Sequence, residues 1–126
     1  MATWRELSLE CRRSAKNLLT DGCLRSSSNR SYYAAYAALS GELEGKVVYK
    51  EGRDNPAHAD LPAYILRNLD GLSRETRFIL IKAVSRLWKA RVIADYVPAI
   101  YLDRTIAINA LRDVNTILLT LEVDDE

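Results

Sequence analysis

Residues 32–43 read YYAAYAALSGEL. At helical spacing Tyr32, Tyr36, Leu39 and Leu43 fall on one stripe, while Ala34, Ala37, Ala38 and Gly41 make a neighbouring face with almost no side chain. A face this bare lets a second helix backbone come close, and the tyrosines fill the gaps beside it while each keeps a hydroxyl for a partner or for water. Gly41 weakens the last turn of such a helix. The segment therefore predicts helix-on-helix packing before any other part of the chain is considered.

The remaining segments agree. Trp4, Leu7, Cys11, Ala15 and Leu18 recur at intervals of three and four and predict a helix from Thr3 to Thr20, ended by Asp21-Gly22. The Tyr/Ala helix is expected to open at Ser26-Ser27-Ser28, any of which suits a first-turn cap, and to run to about Glu44. Residues 45–59 break every periodicity with Gly45, Gly52, Asp54, Asn55 and Pro56, which predicts the longest loop. Pro62 suits the first turn of a short helix to Leu69, and Ser73 a cap for the longest helix, Arg74 to Tyr96. A last helix from Asp103 to Glu122 places Ala107, Leu111, Val114, Leu118 and Leu121 on one side. Val123 to Glu126 reads as a frayed acidic tail. The fold class is all-α, an antiparallel four- to five-helix bundle forming one domain over residues 1–122.

Composition narrows the function. Eighteen Lys and Arg against seventeen Asp and Glu give a net charge of +1, without the strong positive field of a dedicated duplex-DNA binder. Any nucleic-acid site must be a local patch. No run of eighteen apolar residues is present and the first ten residues are too polar for a signal-peptide core, so a cytoplasmic protein without a membrane span is expected. Cys11 and Cys23 lack CxxC spacing and the chain has one His, which predicts reduced thiols, no metal and no cofactor.

On the longest helix Leu80, Val84, Leu87, Arg91 and Ala94 follow at steps of four, three, four and three, so Arg91 stands where a Leu is expected. A guanidinium there must be paired, or open onto a cleft or subunit interface. Asp95 at i+4 is the nearest local partner. Lys82, Arg86 and Lys89 make a separate basic stripe, by default a solvated face and otherwise a phosphate track if it continues past Arg91 into one cleft.

Together, Ser28-Asn29-Arg30-Ser31-Tyr32-Tyr33-Ala34-Ala35-Tyr36-Ala37-Ala38-Leu39, the later Arg91-Val92-Ile93-Ala94-Asp95-Tyr96 and the Ala/Leu-rich closing helix resemble the HEPN superfamily. The resemblance spans about Leu24 to Leu121. It implies a four- to five-helix bundle that commonly pairs as a homodimer, found in toxin-antitoxin and antiviral modules and in RNA-processing proteins. In catalytic members an Arg and a His four to six residues apart cut RNA without a metal, the two subunits sharing one cleft. An imidazole there moves a proton at the 2′-hydroxyl or leaving oxygen while the guanidinium steadies the phosphorane.

Arg91 takes the place of that Arg, but Asp95, Tyr96, Val97 and Pro98 follow where the His should be, and Val92 stands where a polar helper often does. A phenol such as Tyr96 is a reluctant base, and Asp95 lies beside the Arg91 cation, so neither readily replaces an imidazole. His58 reaches the cleft if its loop folds back, and is otherwise a surface or capping residue. The resemblance thus implies either a domain that binds RNA, a nucleotide or a partner protein, or a divergent metal-independent endoribonuclease using Arg91 with Tyr96 or Asp95. The candidate binding residues are Arg30, Tyr33, Lys82, Arg86 and Lys89. An antitoxin or a nucleotidyltransferase-like protein is the implied partner, and the surface around Trp88 and Arg91 the expected dimer contact. A purely structural bundle would explain the periodicities equally well.

Overall fold

The structure is a computed structural model that describes residues 2–123. Five helices follow in order: α1 (Trp4–Thr20), α2 (Leu24–Leu43), α3 (Leu61–Asn68), α4 (Arg74–Tyr96) and α5 (Arg104–Thr120). A single 3-10 turn, His58–Asp60, leads into α3. No strand occurs among the described residues, and none of the helices is long and apolar enough to cross a membrane. The all-α bundle read from the sequence is the fold observed.

The middle of the bundle is α2, with α1, α4 and α5 packed round it. Its bare face receives α1, running antiparallel. A side chain at Gly41 would meet Cβ of Trp4 at 3.0 Å. One heptad back along α2, the carbonyl of Ala34 accepts a 2.7 Å hydrogen bond from the hydroxyl of Ser8. A further heptad back, the hydroxyl of Ser27 donates to the Ala15 carbonyl at 2.8 Å. Small residues at positions 27, 34 and 41 thus bring the two backbones within side-chain hydroxyl reach. Leu39, Leu43, Leu80, Leu87, Ile117 and Leu118, all fully buried, form the apolar centre on the far side of α2.

Three sequence expectations change. The second helix starts at Leu24 with Cys23 at its cap position and no side-chain cap bond, so Ser27 and Ser28 lie inside the helix, buried against the bundle instead of capping it. Leu7 is exposed and Ser8 is buried in its place, because the hydroxyl has the Ala34 carbonyl to bond. Val123 is no tail residue: its amide donates to the Leu118 carbonyl at 2.8 Å and its side chain packs on the core. The remaining tail residues, Asp124 to Glu126, lie outside the described residues. The cap at Ser73 is present, its hydroxyl accepting from the Thr76 amide at 3.1 Å, and Asp103 caps α5 by accepting from Ile106.

The C-terminal end of α4 is closed from outside. Nη1 of Arg25, in the first turn of α2, donates to the carbonyls of Ile93, Ala94 and Val97 at 2.9, 3.0 and 3.3 Å, while Nη2 reaches those of Pro98 and Ile100. A helix leaves its last carbonyls unpaired with a partial negative charge, and a guanidinium answers both deficits.

Two outcomes follow from this packing. Ala34→Leu is expected to destabilise the fold by about 1–3 kcal/mol through overpacking of the α1/α2 contact, measured by urea denaturation. Arg25→Ala is expected to cost about 2 kcal/mol, because it removes a charged donor shared by carbonyls of the last turn of α4 and of the turn after it; a loss within experimental error would mean that water caps the helix as well as Arg25 does.

Candidate functional site

The tyrosine stripe of α2 faces the long loop. Oη of Tyr36 donates to the Pro56 carbonyl at 2.6 Å, and Pro56 is fully buried. Arg53 reinforces the turn from its other side with contacts to the Asn55 carbonyl at 3.2 Å and the Asn55 side chain at 3.1 Å. One helical turn earlier on α2, Oη of Tyr32 lies 2.5 Å from Nδ1 of His58. Two phenols four residues apart therefore fold the loop back over the bundle and deliver its histidine to α4. There the imidazole stacks on Trp88, with ring centroids 4.8 Å apart and planes 19° apart. It also contacts Tyr33 and Tyr36 at 6.1 and 4.8 Å.

Arg91 shares these rings. Its guanidinium carbon sits 5.2 Å from the Trp88 ring, 5.5 Å from Tyr33 and 5.1 Å from Tyr96, within cation–π range of all three. Nε is 2.9 Å from Oδ2 of Asp95, an ion pair whose N–H is turned off the line of centres, so that Nε is buried without a hydrogen bond. Nη2 approaches Oη of Tyr96 at 3.4 Å. Asp95 is held in turn: Nδ2 of Asn29 donates to its Oδ2 at 2.7 Å, and Arg30 grips Oδ1 of Asn29 through Nε and Nη2 at 2.8 and 2.6 Å. Arg30 also lies 5.2 Å over the Tyr33 ring. A relay thus runs Arg30, Asn29, Asp95, Arg91 across the α2/α4 junction.

Burial lowers the His58 pKa from its usual 6.5, and the cations Arg91 and Arg53 push it the same way. Burial raises those of Tyr32 and Tyr36 above the ordinary phenol value. At neutral pH the cluster accordingly holds a neutral imidazole, two protonated phenols and a charged guanidinium. Beside it, Leu61, Pro62, Val84 and Ser85 join Tyr32, His58 and Trp88 around a small pocket of about 160 Å3.

Arg91, Asp95, Tyr96, Arg30, Tyr33 and His58, taken from the sequence as candidates, are brought into one neighbourhood. The basic stripe is not. Arg86 is held by a two-point ion pair to Asp113 of α5 at 2.9 and 3.0 Å, and Lys82 and Lys89 are exposed with no ion pair among the described residues. Trp88, expected at a dimer surface, is covered on one face by His58. Tyr32, Trp88 and Asn29 were missed as site residues. Tyr32 reads as core at helical spacing, Trp88 reads as dimer surface, and Asn29 stands beside a serine run that reads as a cap. Among the described residues, no three His, Cys, Asp or Glu side chains gather where a metal ion could be held.

A family model of the HEPN domain matches residues 1–123. The chain belongs to the HEPN family. No curated protein matches the sequence. In this HEPN domain α4 carries Arg91 with no histidine after it, and the imidazole at the cleft arrives instead from the loop before α3.

The His58 environment sets a pH dependence. Because its pKa is lowered on folding, the unfolded chain binds the proton more readily, and stability is full above about pH 6.5 and declines as pH falls toward the lowered native value. His58 is the only histidine. Urea midpoints of the protein are expected to drop between about pH 7.5 and about pH 5.5, and His58→Asn to flatten that slope. Equal slopes in both proteins would place the titration elsewhere.

Proposed function

We propose that this HEPN domain binds single-stranded RNA in the aromatic cleft, with Arg91 as the anchor and Arg30 and Tyr33 beside it. The observation that carries this reading is the shared cradle: Tyr33 and Trp88 each contact both Arg91 and His58. Unpaired bases stack on aromatic faces and guanidinium planes, and phosphate oxygens accept from the same cations. A net charge of +1 fits a local site of this kind better than an extended duplex track. In this reading the domain works as a homodimer in a toxin-antitoxin or defence pair, with an antitoxin or a nucleotidyltransferase-like protein as its cognate partner. Arg86, tied to Asp113, takes no part.

A second reading, metal-independent cleavage of the bound RNA, is favoured by one observation: the only imidazole of the chain sits among the rings that hold Arg91. His58 in this case supplies what the missing histidine of α4 does not, with Asp95 and Tyr96 orienting the guanidinium.

Fluorescence polarisation with a labelled mixed-sequence single-stranded RNA is expected to show saturable binding, weakened at least about tenfold by Arg91→Ala with helicity retained. Unchanged affinity in the folded variant would sink the cleft as the RNA site. Incubation of the same RNA in EDTA separates the readings: cleavage abolished by His58→Ala and by Arg91→Ala supports the nuclease, and intact RNA leaves binding alone.

A further inference from the structure

His58 has two ring nitrogens, and the fold engages one of them. Nδ1 lies 2.5 Å from Oη of Tyr32. Two proton arrangements suit that distance: the phenol donates to a bare Nδ1, or a protonated Nδ1 donates to the phenol oxygen. The second leaves the phenol proton without an acceptor among the described residues. Tyr32 is only 1% exposed, and its hydroxyl has no other partner among the described residues. Buried donors without an acceptor are rare because their lost hydration is not made good. The raised pKa of Tyr32 keeps its proton on the phenol at neutral pH, and the lowered one of His58 keeps the ring uncharged.

We infer that Tyr32 is a positioning residue that fixes His58 as the Nε2–H tautomer, so that the ring offers the cleft a hydrogen-bond donor and no base. Among the described residues Nε2 has no partner, yet it is not among the buried unpartnered atoms, so it opens to solvent. Arg91, which also only donates, shares the Tyr33 and Trp88 rings with this imidazole. Two donor groups on the same aromatic walls suit an acceptor ligand, and the phosphoryl oxygen of a single-stranded RNA backbone has that chemistry. This last step rests on the RNA reading of the cleft; the tautomer does not. With its lone pair at Nδ1 turned to Tyr32, the ring as held cannot take a proton from a 2′-hydroxyl at Nε2.

The single histidine makes the test direct, because a long-range 1H–15N correlation spectrum of labelled protein contains one native imidazole. At neutral pH the wild-type protein is expected to give the pattern of a pure Nε2–H tautomer, and folded Tyr32→Phe a mixture of the two neutral forms. An Nδ1–H or imidazolium pattern in the wild type overturns the inference, as does a variant still wholly in the Nε2–H form. Should Tyr32→Phe not fold, the wild type alone decides: a Tyr32 hydroxyl proton coupled to Nδ1 supports the assignment, and a proton bonded to Nδ1 refutes it. Addition of a short single-stranded RNA is expected to shift the Nε2–H resonance. No shift with the tautomer intact would overturn the RNA reading and leave the role of Tyr32 standing.

Discussion

The cleft exists because two phenols one turn apart on α2 hold the end of a long loop against the bundle. Residues 45–57 carry no regular structure, and Val48 near their middle is almost fully exposed. A segment of that kind ordinarily stays at the surface and moves. Tyr36 binds the carbonyl of buried Pro56, Tyr32 binds the imidazole two residues further on, and Lys50 meets Asp60 at 3.0 Å across the base of the loop. Without these ties His58 would have no fixed relation to Trp88 or Arg91, and α4 would present an arginine and some aromatic rings without an imidazole.

Such a division of labour asks much of one helix. One side of α2 must be nearly bare so that Ser8 and Ser27 can bond across to main-chain carbonyls, and the other must carry large rings. Alanine and tyrosine placed side by side meet both demands with little rotamer entropy lost, since alanine has none and tyrosine has few torsions. Within α2 glycine appears only at position 41, where a methyl group would crowd Cβ of Trp4 at 3.0 Å. The two faces are coupled in consequence: α1 seats α2, and α2 aims the tyrosines.

The helices and their order were legible because apolar periodicity reports burial, and burial decides nearly everything in a bundle of this size. Arg91 was legible for the same reason, as a charge breaking an apolar stripe. What escaped was set by groups that periodicity ranks wrongly. Ser8 and Ser27 look polar but are buried, because a hydroxyl bonded to a carbonyl no longer needs water. Trp88 looks like dimer surface, and becomes a site wall only once His58 lies on it. The arrival of His58 depends on contacts between residues 26 positions apart, which no local pattern encodes. Arg86 and Lys89 looked alike in sequence, yet the partner on α5 that immobilises one of them is visible only in three dimensions.

The grip of Arg25 on the end of α4 bears on how the cleft would meet the RNA proposed for it. Helix ends ordinarily fray, and Arg91, Asp95 and Tyr96 all belong to the last two turns of α4. By anchoring the carbonyls of Ile93, Ala94 and Val97 to the same helix that supplies the tyrosines, Arg25 makes both walls of the cleft parts of one rigid frame. The ligand proposed for that frame would meet groups already in position. Little conformational freedom would remain to be surrendered on contact, so more of the gross attraction would survive as affinity, and selectivity would be governed by shape more than by adaptation.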